Sequence, residues 1–175
     1  MRKTHWLTTL LATLNIGLGL GLGPFQTLAA ASDIEIPEDW ASGGVTPGTH
    51  ILKMGASPDG KKSASLAEMK FSAEELEITP DKIGRAMWAA KEAEIQSGFT
   101  VKTERRTKTA AGEVGITSSQ NEYNEYLETF VALSGNTAVI LRLITKSTKI
   151  QPSKEPDLAK ILKSWKISAD PLDRK

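Results

Sequence analysis

The sequence predicts an α+β domain, one antiparallel sheet flanked by helices. Three observations carry this reading. Between residues 99 and 146 apolar and polar residues alternate at a period of two, interrupted by short turns around Gly112 and Gly135, which is the pattern of consecutive hairpins. Residues 80–97 and 156–165 carry their apolar residues at helical spacing instead. The chain has no cysteine, so its core must hold without disulfides.

The elements follow in order. Residues 33–40 begin with Ile34 and Ile36 at alternate positions and stop at Pro37, which predicts a short edge strand with Trp40 capping the core. Residues 41–48 have loop composition, with Gly43-Gly44 and Pro47-Gly48. Residues 49–57 read as a strand, Asp59-Gly60 as a hairpin turn, and residues 63–72 as the returning strand. Ser72 with Glu75 has the spacing of a capping box and predicts a short turn of helix. Thr79 as cap, Pro80 at the first helical position, Asp81 at the positive end of the dipole and Gly98 as terminator frame a helix over 80–97. Its stripe of Ile83, Met87, Ala90 and Glu94, with Trp88 and Ile95 beside it, predicts a cover for the sheet.

After Gly98 the period becomes two. Phe99, Val101 and Thr103 alternate with charged residues, 110–113 turns the chain, and Val114 and Ile116 open the return. A second hairpin joins 126–133 to 138–146 through a turn at 134–137. The run from Ala138 to Thr145 is almost continuously apolar, as expected of a central strand covered on both faces. Leu158, Ile161, Leu162 and Trp165 then form the apolar stripe of a closing helix.

Residues 1–31 read as a secretory leader rather than as part of the fold. Arg2 and Lys3 form a positive start, residues 7–22 are apolar, and Ala29-Ala30-Ala31 supplies the small residues of a cleavage site. Asn15, three alternating glycines and Gly23-Pro24 argue against a membrane anchor. Cleavage leaves residues 32–175 as a single α+β domain in the periplasm or outside the cell, with no lipid anchor and no membrane span. Loss of two cations and no acid takes the formal charge from +1 to −1. So balanced a chain has no electrostatic footprint for nucleic acid.

A short strand ending in Ile36-Pro37-Glu38-Asp39-Trp40, a strand pair, a helix, two hairpins closing on residues 137–145, and a last helix running into Trp165 and Ile167 together resemble the PsbP-like α/β/α sandwich. That group takes in the photosystem extrinsic protein PsbP and the periplasmic protein DcrB. The resemblance spans nearly all of residues 34–167. It implies binding, assembly or chaperone roles and carries no catalytic residue over. DcrB is lipid-anchored, and the absence of cysteine departs from that.

The chemical inventory is thin. His5 leaves with the leader, so His50 is the one imidazole of the mature chain, and neither a hydrolase triad nor a multi-histidine metal site can be assembled. The acids Asp33, Glu35, Glu38 and Asp39 read as a solvated face rather than a cation site, and no metal or cofactor is expected. Residues 102–109 hold the one basic concentration. As a strand, Lys102, Glu104, Arg106 and Lys108 share a face, and Arg105 points the other way among Val101 and Thr103. Lys102, Arg105, Arg106 and Lys108 are therefore the candidate partner-binding residues. Trp40, Trp88 and Trp165 read as core packing.

Two functions of different class follow. The first is an exported, soluble, non-enzymatic binding or assembly factor of the cell envelope that acts through a protein partner. The alternative is a small carboxylate-dependent extracytoplasmic hydrolase, with Glu122, Glu125 and Glu128 as its carboxylates, which requires at least two of them to meet in a cleft.

Overall fold

The computed structural model describes residues 32–43, 50–109, 112–146 and 150–167. The expected leader lies outside the described residues, as do residues 44–48 of the expected loop, residue 49 of the expected strand and residues 110–111 of the expected turn. Seven strands form one antiparallel sheet: β2 (Ala41–Gly43), β3 (Ile51–Ala56), β4 (Lys62–Lys70), β5 (Thr100–Thr109), β6 (Gly112–Gln120), β7 (Tyr126–Ser134) and β8 (Thr137–Thr145), in the spatial order β2-β3-β4-β8-β7-β6-β5. β1 (Ser32–Asp33) pairs separately with β9 (Lys166–Ile167) and ties the two ends of the domain together. The edge strand expected over 33–40 is thus only two residues long. Beyond it Ile34 is fully buried, and a turn closed by the Trp40 N–H on the Pro37 carbonyl at 3.0 Å brings Trp40 into the core.

Helices cover both faces. α1 (Ala73–Glu77) is the short helix that the capping box foretells: the Ser72 hydroxyl accepts the Glu75 N–H at 3.1 Å, and the Glu75 carboxylate accepts the Ser72 N–H at 3.0 Å. α2 (Lys82–Gln96) packs across β5, β6 and β7. It begins later than the sequence suggests, because Asp81 and not Thr79 is its cap, accepting the Gly84 N–H at 3.0 Å. Gly115 on β6 lets α2 sit close, since a side chain there would collide with the Met87 thioether. α3 (Pro156–Ser164) lies on the opposite face, reached through a single 3-10 turn at Pro152–Lys154.

β8 is central, between β4 and β7, and its alternate residues feed two cores. Val139, Leu141 and Leu143 join Leu158 and Ile161 of α3 with Ile34, Trp40, Val114, Ile116 and Phe130. Ala138 and Ile140 point the other way and join Ile83, Ala86, Met87 and Ala90 of α2 with Val131 and Phe71. That double coverage is why the strand reads as an apolar run rather than as an alternation.

Candidate functional site

β5 ends the sheet, so one side of its backbone pairs with no described strand. Residues 102–109 are all exposed. A bulge interrupts the pairing with β6: Val101 faces Ser119 and Thr103 faces Ser118, leaving Lys102 as the extra residue. The bulge corrects the simple alternation expected from the sequence. Glu104, Arg106 and Lys108 lie on the α2 side, opposite Thr117, Gly115 and Glu113, and Arg105 lies on the α3 side opposite Ile116. Val101 is displaced to the α2 side and does not accompany Arg105.

The four candidate cations are not equivalent. Arg106 grips both oxygens of Asp81, Nη1 at 2.9 Å and Nη2 at 2.5 Å, and its guanidinium lies 3.9 Å from Glu113. This pair holds the Asp81 carboxyl below the usual carboxylate range, with the Gly84 N–H assisting. Gly84 leaves room for it, because a Cβ there would fall 2.7 Å from the Arg106 guanidinium. Glu104 is engaged by Lys91 of α2 at 3.0 Å. Lys102, Arg105 and Lys108 make no ion pair among the described residues. A groove of about 300 Å³, lined by Pro80, Asp81, Ile83, Glu113 and Leu133, opens beside the Lys108 end of the strand.

The three carboxylates of the alternative reading are placed apart. Glu122 is exposed in the β6–β7 turn, where its hydrogen bond to the Tyr123 phenol raises that group above its ordinary range. Glu125 is taken by the Asn121 amide at 2.8 Å within the same turn. Glu128 is fully buried on the α3 side and accepts the Ser153 N–H at 2.7 Å, anchoring the 3-10 turn; its other oxygen has no hydrogen-bond partner. No cleft joins them among the described residues.

The remaining sequence readings divide. His50 is exposed. Asp33 pairs with Lys53 at 2.9 Å, which lowers its carboxyl below the usual range, while Glu35, Glu38 and Asp39 are exposed. No group of three or more metal-ligating side chains occurs among the described residues. Trp40 is in the core and Trp165 meets Phe130 edge-on at 6.4 Å. Trp88 is not core: it is 50% exposed with the Arg85 guanidinium 4.6 Å above its ring, and Ile95 is 51% exposed beside it. The α2 stripe that meets the sheet is narrower than its count of apolar residues suggests.

Sequence reasoning missed a polar rung across the sheet. At one level of the sheet Ser65, Arg142, Thr129, Thr117 and Glu104 sit side by side on β4, β8, β7, β6 and β5. Glu94 of α2 is fully buried above it, receiving the Thr117 hydroxyl at 2.7 Å and the Ser119 hydroxyl at 2.5 Å. The sequence does carry a signal: Arg142 interrupts the most apolar strand, and Glu94 falls on the sheet-facing stripe of α2.

No protein-family model matches this chain, and no curated protein matches it in sequence. Its backbone is similar to the solution structure of cyanobacterial PsbP from Synechocystis sp. PCC 6803, with 10% identity over 87% of this chain and 98% of that one and a TM-score of 0.57. More distant likenesses are LpqN of Mycobacterium tuberculosis, a protein involved in cell envelope biogenesis (14% identity, 78% of this chain and 83% of that one, TM-score 0.42), and a Bacteroides thetaiotaomicron protein (14%, 80% and 46%, TM-score 0.44). The PsbP likeness covers most of this chain and nearly all of the other, and it concerns backbone alone. With its seven-stranded antiparallel sheet held between α2 and α3, this chain has the PsbP-like α+β fold, a helix–sheet–helix sandwich.

Proposed function

We propose that this chain is an exported, non-enzymatic binding factor of the cell envelope, and that its β5 edge takes up an acidic, extended segment of a protein partner. The observation that carries the reading is an edge strand of ten residues, Thr100–Thr109, exposed from Lys102 onward, on which Lys102, Arg105 and Lys108 lack acidic partners among the described residues. An open edge offers a row of N–H and C=O groups to an added strand, and flanking side chains select which strand is accepted. A second copy of β5 would bring its lysines and arginines against these, whereas an acidic segment would be attracted. Arg106 belongs to the fold, because Asp81 already holds it.

Export rests on the leader-like composition of residues 1–31. No helix among the described residues is long and apolar enough to cross a membrane. Cell fractionation with sequencing of the mature amino terminus tests this part: recovery outside the cytoplasm, beginning at Ser32, is expected, and a cytoplasmic protein retaining Met1 would refute it.

Docking is tested by co-purification from native envelope with the wild type and with a Lys102→Glu, Arg105→Glu, Lys108→Glu triple variant. Loss of an acidic partner at least tenfold is expected, together with slowed amide exchange along β5 when that partner is bound. An unchanged partner set, or binding without protection of β5, would sink the edge-docking reading.

A further inference from the structure

We propose that the polar rung beside α2 is a binding site for a small oxyanion, a carboxylate or phosphate group held by the Arg142 guanidinium with the Thr129 hydroxyl beside it. Nothing in the docking reading above requires this site, which lies on β8 and β7 rather than on the sheet edge.

Arg142 is the one cation in the central strand β8 and stands between Ser65 and Thr129 in the register. Its Nε is buried without a hydrogen-bond partner, and the guanidinium makes no ion pair among the described residues. Thr129 is fully buried, and its Oγ1 also lacks a partner. Two neighbouring buried groups, the Arg142 Nε–H and the Thr129 hydroxyl, thus have no hydrogen-bond partner. Glu94, the acid whose charge acts on Arg142 through space, does not fill the role by contact, because its oxygens are occupied by the Thr117 and Ser119 hydroxyls. Across the rung, Glu104 is likewise taken by Lys91.

A buried guanidinium N–H without an acceptor is unfavourable, and a folded chain tolerates it best where a ligand supplies the acceptor and the missing charge. Desolvation correspondingly lowers the proton affinity of Arg142, only partly opposed by Glu94. The planar fork of arginine matches two oxygens of a carboxylate or phosphate at once, and a neighbouring hydroxyl supplies a further donor. The site is also reachable. Arg142 keeps part of its surface exposed although Thr129 beside it on β7 is fully buried, so an anion enters from the Arg142 side.

The test uses the full domain and two probes, inorganic phosphate and acetate, each against chloride at matched ionic strength. The Arg142 Nε–H resonance is followed by NMR and thermal unfolding in parallel. A saturable shift with one or both probes is expected, and at about ten times the dissociation constant the unfolding equilibrium constant should fall about elevenfold. Response to phosphate alone identifies a phosphoryl group, and response to acetate identifies a carboxylate. Arg142→Met should fold at least as stably as the wild type without anion and show no saturable response. Thr129→Val, which keeps the shape, should weaken binding. An unmoved Nε–H resonance, or an Arg142→Met domain that responds like the wild type, overturns the proposal. So does a resonance that shifts in Glu94→Gln but with neither anion, because Glu94 would then be the partner of Arg142 in solution.

Discussion

A carboxylate beneath a helix is stable only when hydrogen bonds replace its water, and at Glu94 two hydroxyls do so, Thr117 and Ser119. Glu94→Ala would strand both hydroxyls and open a cavity. A loss of about 3–5 kcal/mol is expected from urea denaturation, and Glu94→Gln, which keeps one acceptor, should lose less. The tryptophans divide by the same logic of surroundings. Trp40→Ala removes a core side chain and should lower stability by about 3–5 kcal/mol, whereas Trp88→Ala, at a half-exposed site on α2, should stay within about 1 kcal/mol; equal effects in the same denaturation series would contradict this division. Periodicity placed Ile83, Met87, Ala90 and Glu94 on the buried side of α2 correctly. It did not show Trp88 to be outward, because a large ring at the margin of a stripe is drawn inward only if the neighbouring layer extends that far. At Trp88 the ring meets the Arg85 guanidinium instead.

At the scale of elements, the start of α2 is fastened to β5 by one ion pair. Asp81 caps the helix and Arg106 holds the cap, so the folded-state pKa of Asp81 lies below its ordinary value. Protons therefore bind more tightly to the unfolded chain. The stabilisation is complete above the ordinary carboxylate range and is lost as pH falls through the folded-state value. Asp33, Glu75 and Asp157 are lowered by their own partners and act in the same direction. Melting temperature should thus be level near neutrality and decline below about pH 4, and Asp81→Asn should make that acid decline shallower. An identical decline in the variant would show the pair to be without effect. The caps of α1 and the strand character of β3 to β8 were legible, since they depend on residues within one turn or one hairpin. The bulge at Lys102 was not, because it exists only relative to Ser118 and Ser119 on the facing strand.

For the molecule as a whole, β8 is the shared wall of two cores, and the layers should melt as one. Leu141→Ala, on the α3 side, is expected to lower stability by about 3–5 kcal/mol. It should shift the far-ultraviolet signal and the tryptophan fluorescence together, although Trp88 reports from the opposite layer. Separate midpoints would mean that the two faces are independent units. The sandwich arrangement came from the family resemblance. What the amino-acid sequence determined by itself is the succession of elements, the hairpins, the two sheet-covering helices and the doubly covered β8. Those properties arise from side-chain period, turn residues and caps, which act over a few positions. Tertiary structure alone decided that β5 is an open edge, that Arg106 is consumed by Asp81, that Glu122, Glu125 and Glu128 stand apart, and that Arg142 and Thr129 face each other without an acceptor. These depend on which distant groups meet, and a hydrophobic pattern specifies that a face is covered without specifying what covers it.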